Sequence, residues 1–337
     1  MKKIILAIFS VLLLVGCSKN TDNVVGKVEN TINNLNNYHL TGDLTIANNE
    51  DKYNYKVDVT YLKGNYYKVS LINKENSHEQ IILKNEDGVY VVTPSLNKSF
   101  KFQSEWPTNS SQSYILETIL KDILDDQERT ITSKDDTYEI TSKVNYPNNI
   151  DLTNQVITIN KDYLPSKVIV KNSKGLTAIS MTITKIDTKT KYDKAYFALA
   201  SNIKEEAKSN SKVEKKEEIT KETSLANDIV YPMYLPSGTK YSSEELVTTN
   251  GNERVILTYT GTKPFILIEE NAKRSDSHET VAVSGEVVQY ANVLGVLAES
   301  SLNWNENDRE YYLIGDKLSA SELLQIASST ATVAVSK

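Results

Sequence analysis

Cys17 is the only cysteine among 337 residues. Its thiol therefore has no partner within the chain for a disulfide, and too few companions for a thiolate metal site. What distinguishes it is position, at the end of an apolar run. The other candidate groups point to less. His39, His78 and His278 stand in polar turns or at strand edges, without metal-ligand spacing and outside any His-Glu-x-x-His motif. Asp125-Asp126 with Glu128, and Asp135-Asp136, are paired carboxylates of the kind that serve acid–base chemistry or hold a cation. They lack the spacing of a calcium loop and read as solvated charges at a helix end and in a loop. Neither a Gly-x-Ser-x-Gly nucleophile elbow nor a phosphate-cradling glycine loop occurs. The sequence thus names no catalytic residue, no metal site and no cofactor, and predicts a non-enzymatic protein.

Met1-Lys2-Lys3 precedes a run that is apolar from Ile4 to Val15 except for Ser10. A short positive region followed by such a run is a secretory signal, too short to span a bilayer comfortably. It closes in Leu14-Val15-Gly16-Cys17, which resembles the lipobox of bacterial lipoproteins. The resemblance implies that Leu14, Val15 and Gly16 are recognised by signal peptidase, that cleavage falls before Cys17, and that the Cys17 sulfur carries a covalent diacylglycerol. Each buried CH₂ contributes roughly 0.8 kcal/mol, so two acyl chains hold stably where one is marginal. The expectation is a lipid-anchored protein on the extracytoplasmic face of the cell membrane. Residues 1–16 are then signal peptide, and 17–24 the lipidated cysteine and a polar tether. Nothing else in the chain approaches 18 consecutive apolar residues.

Hydrophobic residues make up 39% and charged residues 24%, as in ordinary globular proteins, and the length suits two domains. Loss of Lys2 and Lys3 with the signal takes the net charge from −6 to −8. That balance excludes nucleic acid as a partner, and no basic run suits anionic headgroups. Tyrosine is over-used, 20 against 5 Phe and 2 Trp. Its apolar body and polar tip suit half-buried sheet faces, so the chain should be mainly β.

Val25, Val28, Ile32 and Leu35 recur at helical spacing behind a possible Asp22 cap. In YNYKVDVTY, Tyr53, Tyr55, Val57, Val59 and Tyr61 alternate with polar residues, a strand signal of period 2. GNYYKVSLIN, EQIILKN, GVYVVTP and KSFKFQ continue an antiparallel meander. SYILETILKDIL, with Ile115, Ile119 and Ile123 beside Leu116, Leu120 and Leu124, predicts a second helix capped by serines. TYEITSKV, NQVITIN, PSKVIVKN and LTAISMTITKI resume the strands. Residues 201–224 hold twelve Lys or Glu in 24 positions and read as a solvated linker. Beyond it, Asn250-Gly251 marks a hairpin between ELVTT and RVILTY. PFILIEEN, ETVAVSG, VLGVLAES and NENDREYYLIGD supply strands, and Ser319 with Glu322 forms a capping box for a last helix.

Two stretches carry a family resemblance. Lys84-Asn85-Glu86-Asp87-Gly88-Val89-Tyr90-Val91-Val92-Thr93-Pro94 looks like the Asp-Gly-aromatic strand of LolA-like domains, and Asp162-Tyr163-Leu164-Pro165-Ser166-Lys167-Val168 also fits. Residues 25–200 therefore resemble a LolA-like domain, and the overall plan is similar to germination and sporulation lipoproteins and to RseB-like regulators. The resemblance implies an incomplete antiparallel β-barrel with covering helices, whose concave face accepts acyl chains. LolA-like carriers ferry lipoproteins to an outer membrane and diffuse freely, whereas an anchored chain fits a receptor or a signalling relative better. Residues 225–337 form a smaller α+β domain that resembles the DUF4367 family, through Tyr234-Leu235-Pro236-Ser237-Gly238, Trp304 and Glu322-Leu323-Leu324-Gln325-Ile326-Ala327.

The candidate acyl-chain lining is Tyr53, Tyr55, Val57, Val59, Tyr61, Ile115, Ile119 and Ile123. The same residues would serve equally as a plain domain core. Two functions follow. One is binding of lipid or lipoprotein acyl chains beside the membrane, as carrier or sensor, which needs an open cavity. The other is interaction with an envelope regulatory protein in sporulation, germination or envelope stress, which needs a filled interior and exposed sheet edges.

Overall fold

The computed structural model describes residues 23–48, 51–102, 104–203, 225, 228–249, 252–275, 277–306 and 309–332. The signal peptide, the lipobox residues Leu14, Val15, Gly16 and Cys17, the Asp22 cap, linker residues 204–224 and the Asn250-Gly251 turn lie outside the described residues. The chain opens with α1 (Val24–Asn33), β1 (Asn37–Asn48), β2 (Asp51–Leu62), β3 (Tyr66–Asn73), β4 (Glu79–Asn85), β5 (Gly88–Thr93) and β6 (Lys98–Phe102). Then come α2 (Leu116–Asp125), β7 (Thr130–Lys134), β8 (Thr137–Lys143), β9 (Leu152–Ile159), β10 (Pro165–Asn172) and β11 (Thr177–Asp187). The second unit holds β12 (Val230–Pro232), β13 (Thr239–Thr249), β14 (Asn252–Gly261), β15 (Phe265–Asn271) and β16 (Glu279–Val283). It ends with β17 (Glu286–Tyr290), β18 (Val293–Leu297), β19 (Ser301–Glu306), β20 (Arg309–Ile314), α3 (Ala320–Ser328) and β21 (Thr330–Thr332).

Alternating side chains build one long sheet in the order β16-β6-β5-β4-β3-β2-β1-β11-β10-β9-β8-β7. Its two ends do not pair with each other, so the barrel is incomplete. Val24, Val28 and Ile32 of α1 and Leu116, Ile119, Leu120 and Ile123 of α2 pack into the concave face. Val28 and Ile32 of the predicted face are buried, with Val24 beside them, while Val25 and Leu35 are only partly buried. The serines before α2 do not cap it. Ile115 takes the N-cap position with no side-chain bond. The Ser111 hydroxyl is spent on Asp122 Oδ1 at 2.9 Å, and its oxygen accepts Asn145 N–H at 2.7 Å.

Strand β1 joins the two halves of the sheet, yet its sequence hides it. Tyr38, Leu40, Leu44 and Ile46 point inward, but Thr41-Gly42-Asp43 interrupts the apolar alternation. Gly42 is required there. The pairing with β11 shifts at Thr41/Gly42, and a Cβ on Gly42 would lie 2.3 Å from the Thr182 carbonyl oxygen.

The second unit forms a seven-stranded antiparallel sheet, β13-β14-β15-β20-β19-β18-β17, covered by α3 and the short β12–β21 pair. Trp304 stacks on Tyr311 with ring centroids 4.8 Å apart, over Leu257, Leu267, Leu313 and Leu324. Glu269, wholly buried, accepts Val230 N–H and the Arg309 guanidinium at 2.6 Å, and Arg309 also reaches Asp228. That triad fixes where the chain enters the unit.

The two units interlock. Between β15 and β17 the chain leaves its own sheet, and β16 pairs in parallel with β6 of the first unit. Leu294 and Val296 of β18 belong to the first unit's core.

Candidate functional site

The alternation in β2 puts Tyr55, Val57, Val59 and Tyr61 on the concave face, and helical spacing brings Ile115, Ile119 and Ile123 to meet them. The structure unites these seven residues in one packed core, each no more than 8% exposed, with Tyr53 partly buried at its margin. Large rings from neighbouring strands fill the space. Tyr38, Tyr61 and Tyr67 follow one another at centroid distances of 5.0 Å, and Trp106 closes the row 5.9 Å from Tyr67. None of the eight expected lining residues lines the cavity described below. The seven buried ones belong to the first unit's packed core.

Two carboxylates of α2 border that interior, Glu117 partly buried and Asp122 buried. Glu117 accepts the Tyr38 hydroxyl at 2.9 Å, and loss of water raises its pKa from 4.5 to about 7. Asp122, on the same helix, accepts Ser111 and Gln155, and burial raises its pKa to about 6. Neither faces a nucleophile. Both tie α2 to the sheet.

A cavity of about 620 Å³ opens elsewhere, at the seam between the units. The ends of β1 and β11, the segment before α2 and the β8–β9 loop wall it on one side. Residues 287–291, in and just after β17, and one face of α3 wall it on the other. Side chains bridge the seam around it. The Tyr114 hydroxyl donates to Gln289 Oε1 at 3.0 Å, Asn48 Nδ2 to Ser328 Oγ at 3.3 Å, and the Tyr55 hydroxyl to the Ala291 carbonyl at 3.4 Å. Sequence reasoning missed this cavity because its walls come from stretches far apart in the chain, mostly loops and strand ends.

The structure also brings together a serine and a histidine. Ser99 Oγ lies 3.0 Å from His278 Nε2, whose Nδ1 lies 3.4 Å from Asn97 Oδ1. This is the order of nucleophile, base and orienting group found in hydrolases. Ser99, however, is 1% exposed within β6 and also meets Thr280 Oγ1 at 3.0 Å, which leaves no room for a reacting carbonyl. The cluster fastens β16 to β6. Desolvation lowers the pKa of His278, which favours the neutral ring that such bonding needs. His39 pairs with Asp58 at 2.8 Å. Among the acidic pairs, Asp125 bonds Lys121 and Glu128 bonds Lys143. Among the described residues no three His, Cys, Asp or Glu side chains gather as metal ligands, and no helix is long and apolar enough to cross a membrane.

No protein-family model matches the chain. Among solved structures it is similar to a chain of the MucA/MucB complex of Pseudomonas aeruginosa, with 10% identity, a TM-score of 0.33, and coverage of 92% of this chain and 98% of that one. It is also similar to the LolA superfamily protein NE2245 of Nitrosomonas europaea, with 10% identity, a TM-score of 0.32, and coverage of 53% and 98%. In sequence it is 32% identical over 325 residues to the sporulation protein YdcC of Bacillus subtilis (strain 168), spanning 96% of this chain and 94% of that protein. With that identity sustained over nearly the whole of both proteins, the chain belongs to the family of the sporulation protein YdcC.

Proposed function

We propose that this protein is a non-catalytic interaction module of the sporulating cell's envelope. A diacylglycerol on Cys17 holds it to the extracytoplasmic face of the cell membrane, and it works through exposed sheet edges and not as an acyl-chain carrier. One observation carries the choice between the two readings. The concave face that a carrier would keep open is occupied by Tyr38, Tyr61, Tyr67, Trp106 and the isoleucines of α2, which belong to one buried cluster. An acyl chain would have to displace side chains that are already dry and close-packed. The sporulation role of the YdcC relative supports the process, and the edges supply a surface. Strand β16 uses one edge on β6 and is the last strand of the sheet, with Glu279–Ala282 exposed and neither lysine nor proline to blunt it.

Two measurements on the full-length protein test this reading. Cys17→Ser should abolish labelling by a radioactive fatty acid in vivo and move the protein out of the membrane fraction; unchanged labelling would remove the anchor from the proposal. A fluorescent fatty acid should show no saturable binding to the protein body. Saturable binding that is lost in a folded Val57→Phe variant would restore the carrier.

A further inference from the structure

The seam cavity has a composition that neither reading above uses. Its walls present seven carboxamide side chains, five serines and four tyrosines beside twelve apolar residues, with a single charged side chain, Asp151. The Asp151 carboxylate is already engaged by the Ser173 hydroxyl. Five of the polar side chains, Ser113, Tyr146, Asn148, Asn149 and Tyr290, make no side-chain hydrogen bond to any described residue. Tyr146 is held well above the ordinary tyrosine pKa by burial, so its hydroxyl stays protonated and free to donate. Unspent amides and hydroxyls around a cavity of this size lie within the range of small-ligand sites, roughly 300–1,000 Å³.

The chemistry of the walls selects the ligand. A phosphate or carboxylate would need a cation, and no Lys, Arg or His lines the space. An acyl chain would leave the amides unpaired in a dry site, at roughly 1–3 kcal/mol each. An extended peptide would use the outer edge of β17, but side chains of the preceding unit reach across to that strand: Glu286 accepts Ser104 and Asn109, and Gln289 accepts Tyr114. What remains is an uncharged ligand with both donors and acceptors and with C–H faces for tyrosine rings. We infer that the seam cavity binds an acetamido-sugar oligomer, with Tyr146, Asn149 and Tyr290 among the groups that contact it. Asn and Gln offer an N–H and a C=O together, the pair that an acetamido group also offers in reverse. This inference stands apart from the choice of protein partner.

The probe is the β-1,4-linked N-acetylglucosamine tetramer, titrated into full-length protein in detergent by calorimetry and ligand-observed NMR. Cellotetraose, which lacks the acetamido groups, and the N-acetylglucosamine monomer are run beside it. The tetramer should bind saturably, and both comparison sugars about tenfold more weakly or less. Tyr146→Phe and Asn149→Ala remove polar groups that make no side-chain hydrogen bond to any described residue, and Tyr146→Phe keeps the ring that packs on the core, so melting should change little. Together they should weaken tetramer binding about tenfold, as expected for two hydrogen bonds of modest net worth. Absence of saturable tetramer binding at millimolar concentration would overturn the inference. So would equal binding by the double variant, or by cellotetraose. A fluorescent fatty acid titrated separately reads the filled interior, so failure of that reading and failure of this one are distinguishable.

Discussion

Strand β1 borders two concave spaces, and Leu44 and Ile46 contribute to both the filled interior and the seam cavity. Beneath β2 the opposing walls supply tyrosines, a tryptophan and the isoleucines of α2, which pack into one buried cluster. At the seam the opposing walls are loops and a helix face rich in Asn, Gln and Ser. Such groups cannot be packed dry without partners, so the space between them stays open to something that can hydrogen-bond. The fate of a concave face is therefore set by what stands opposite it, and not by the apolar stripe it presents.

Truncations at matched chemistry should separate the two regions most widely. Ile119→Ala, in the filled interior, should cost about 2–5 kcal/mol in denaturant unfolding. Ile150→Ala, at the seam and 83% exposed, should stay within about 0.5 kcal/mol. Equal costs at the two positions would break the comparison.

A second test uses pH. Glu117 has its pKa raised from 4.5 to about 7 in the folded interior. The folded state therefore holds this proton more tightly than the unfolded chain does. The resulting stabilisation is complete below about pH 4.5 and is lost as pH rises through about 7. Glu117→Gln keeps an acceptor for the Tyr38 hydroxyl and cannot ionise. It should leave stability at pH 4 nearly unchanged and raise it at pH 8 by roughly 1–3 kcal/mol, less than full burial would give because Glu117 keeps some contact with solvent. Asp122 contributes with the same sign in both proteins and drops out of the difference. A melting series from pH 4 to 8 checks this, and a gain independent of pH would show that the carboxylate is hydrated.

The smallest effect concerns the seam's own wall. Ser319 caps α3 by accepting Glu322 N–H, while the Glu322 side chain accepts Ser319 N–H. Ser319→Ala should cost about 1 kcal/mol. It should also weaken binding of the acetamido-sugar tetramer if α3 positions Gln325 and Ser328. Loss of stability with binding unchanged would confine recognition to the first unit.

Much of this protein could be read from local pattern. The period-2 stripe of β2 and the Asn85–Gly88 turn between β4 and β5 follow from side-chain alternation and turn chemistry, which need only neighbours in sequence. The isoleucines of α2 and the capping box of α3 follow likewise from helical periodicity and terminal N–H satisfaction. Strand β1 was harder to read, because a glycine required by close approach to β11 broke its alternation. The short strand β7 and the strands β17 and β19 lacked a clean apolar signal.

The sequence by itself determined the mainly β class, the existence of α2 and α3, and the absence of a recognisable catalytic motif, because each depends on residues a few positions apart. Only the tertiary structure decided that the β2 stripe is core, that β16 crosses to β6, that Ser99 meets His278, and that a polar cavity lies at the seam. Those outcomes depend on volumes and partners brought together from as far as 280 residues away. No local period encodes them.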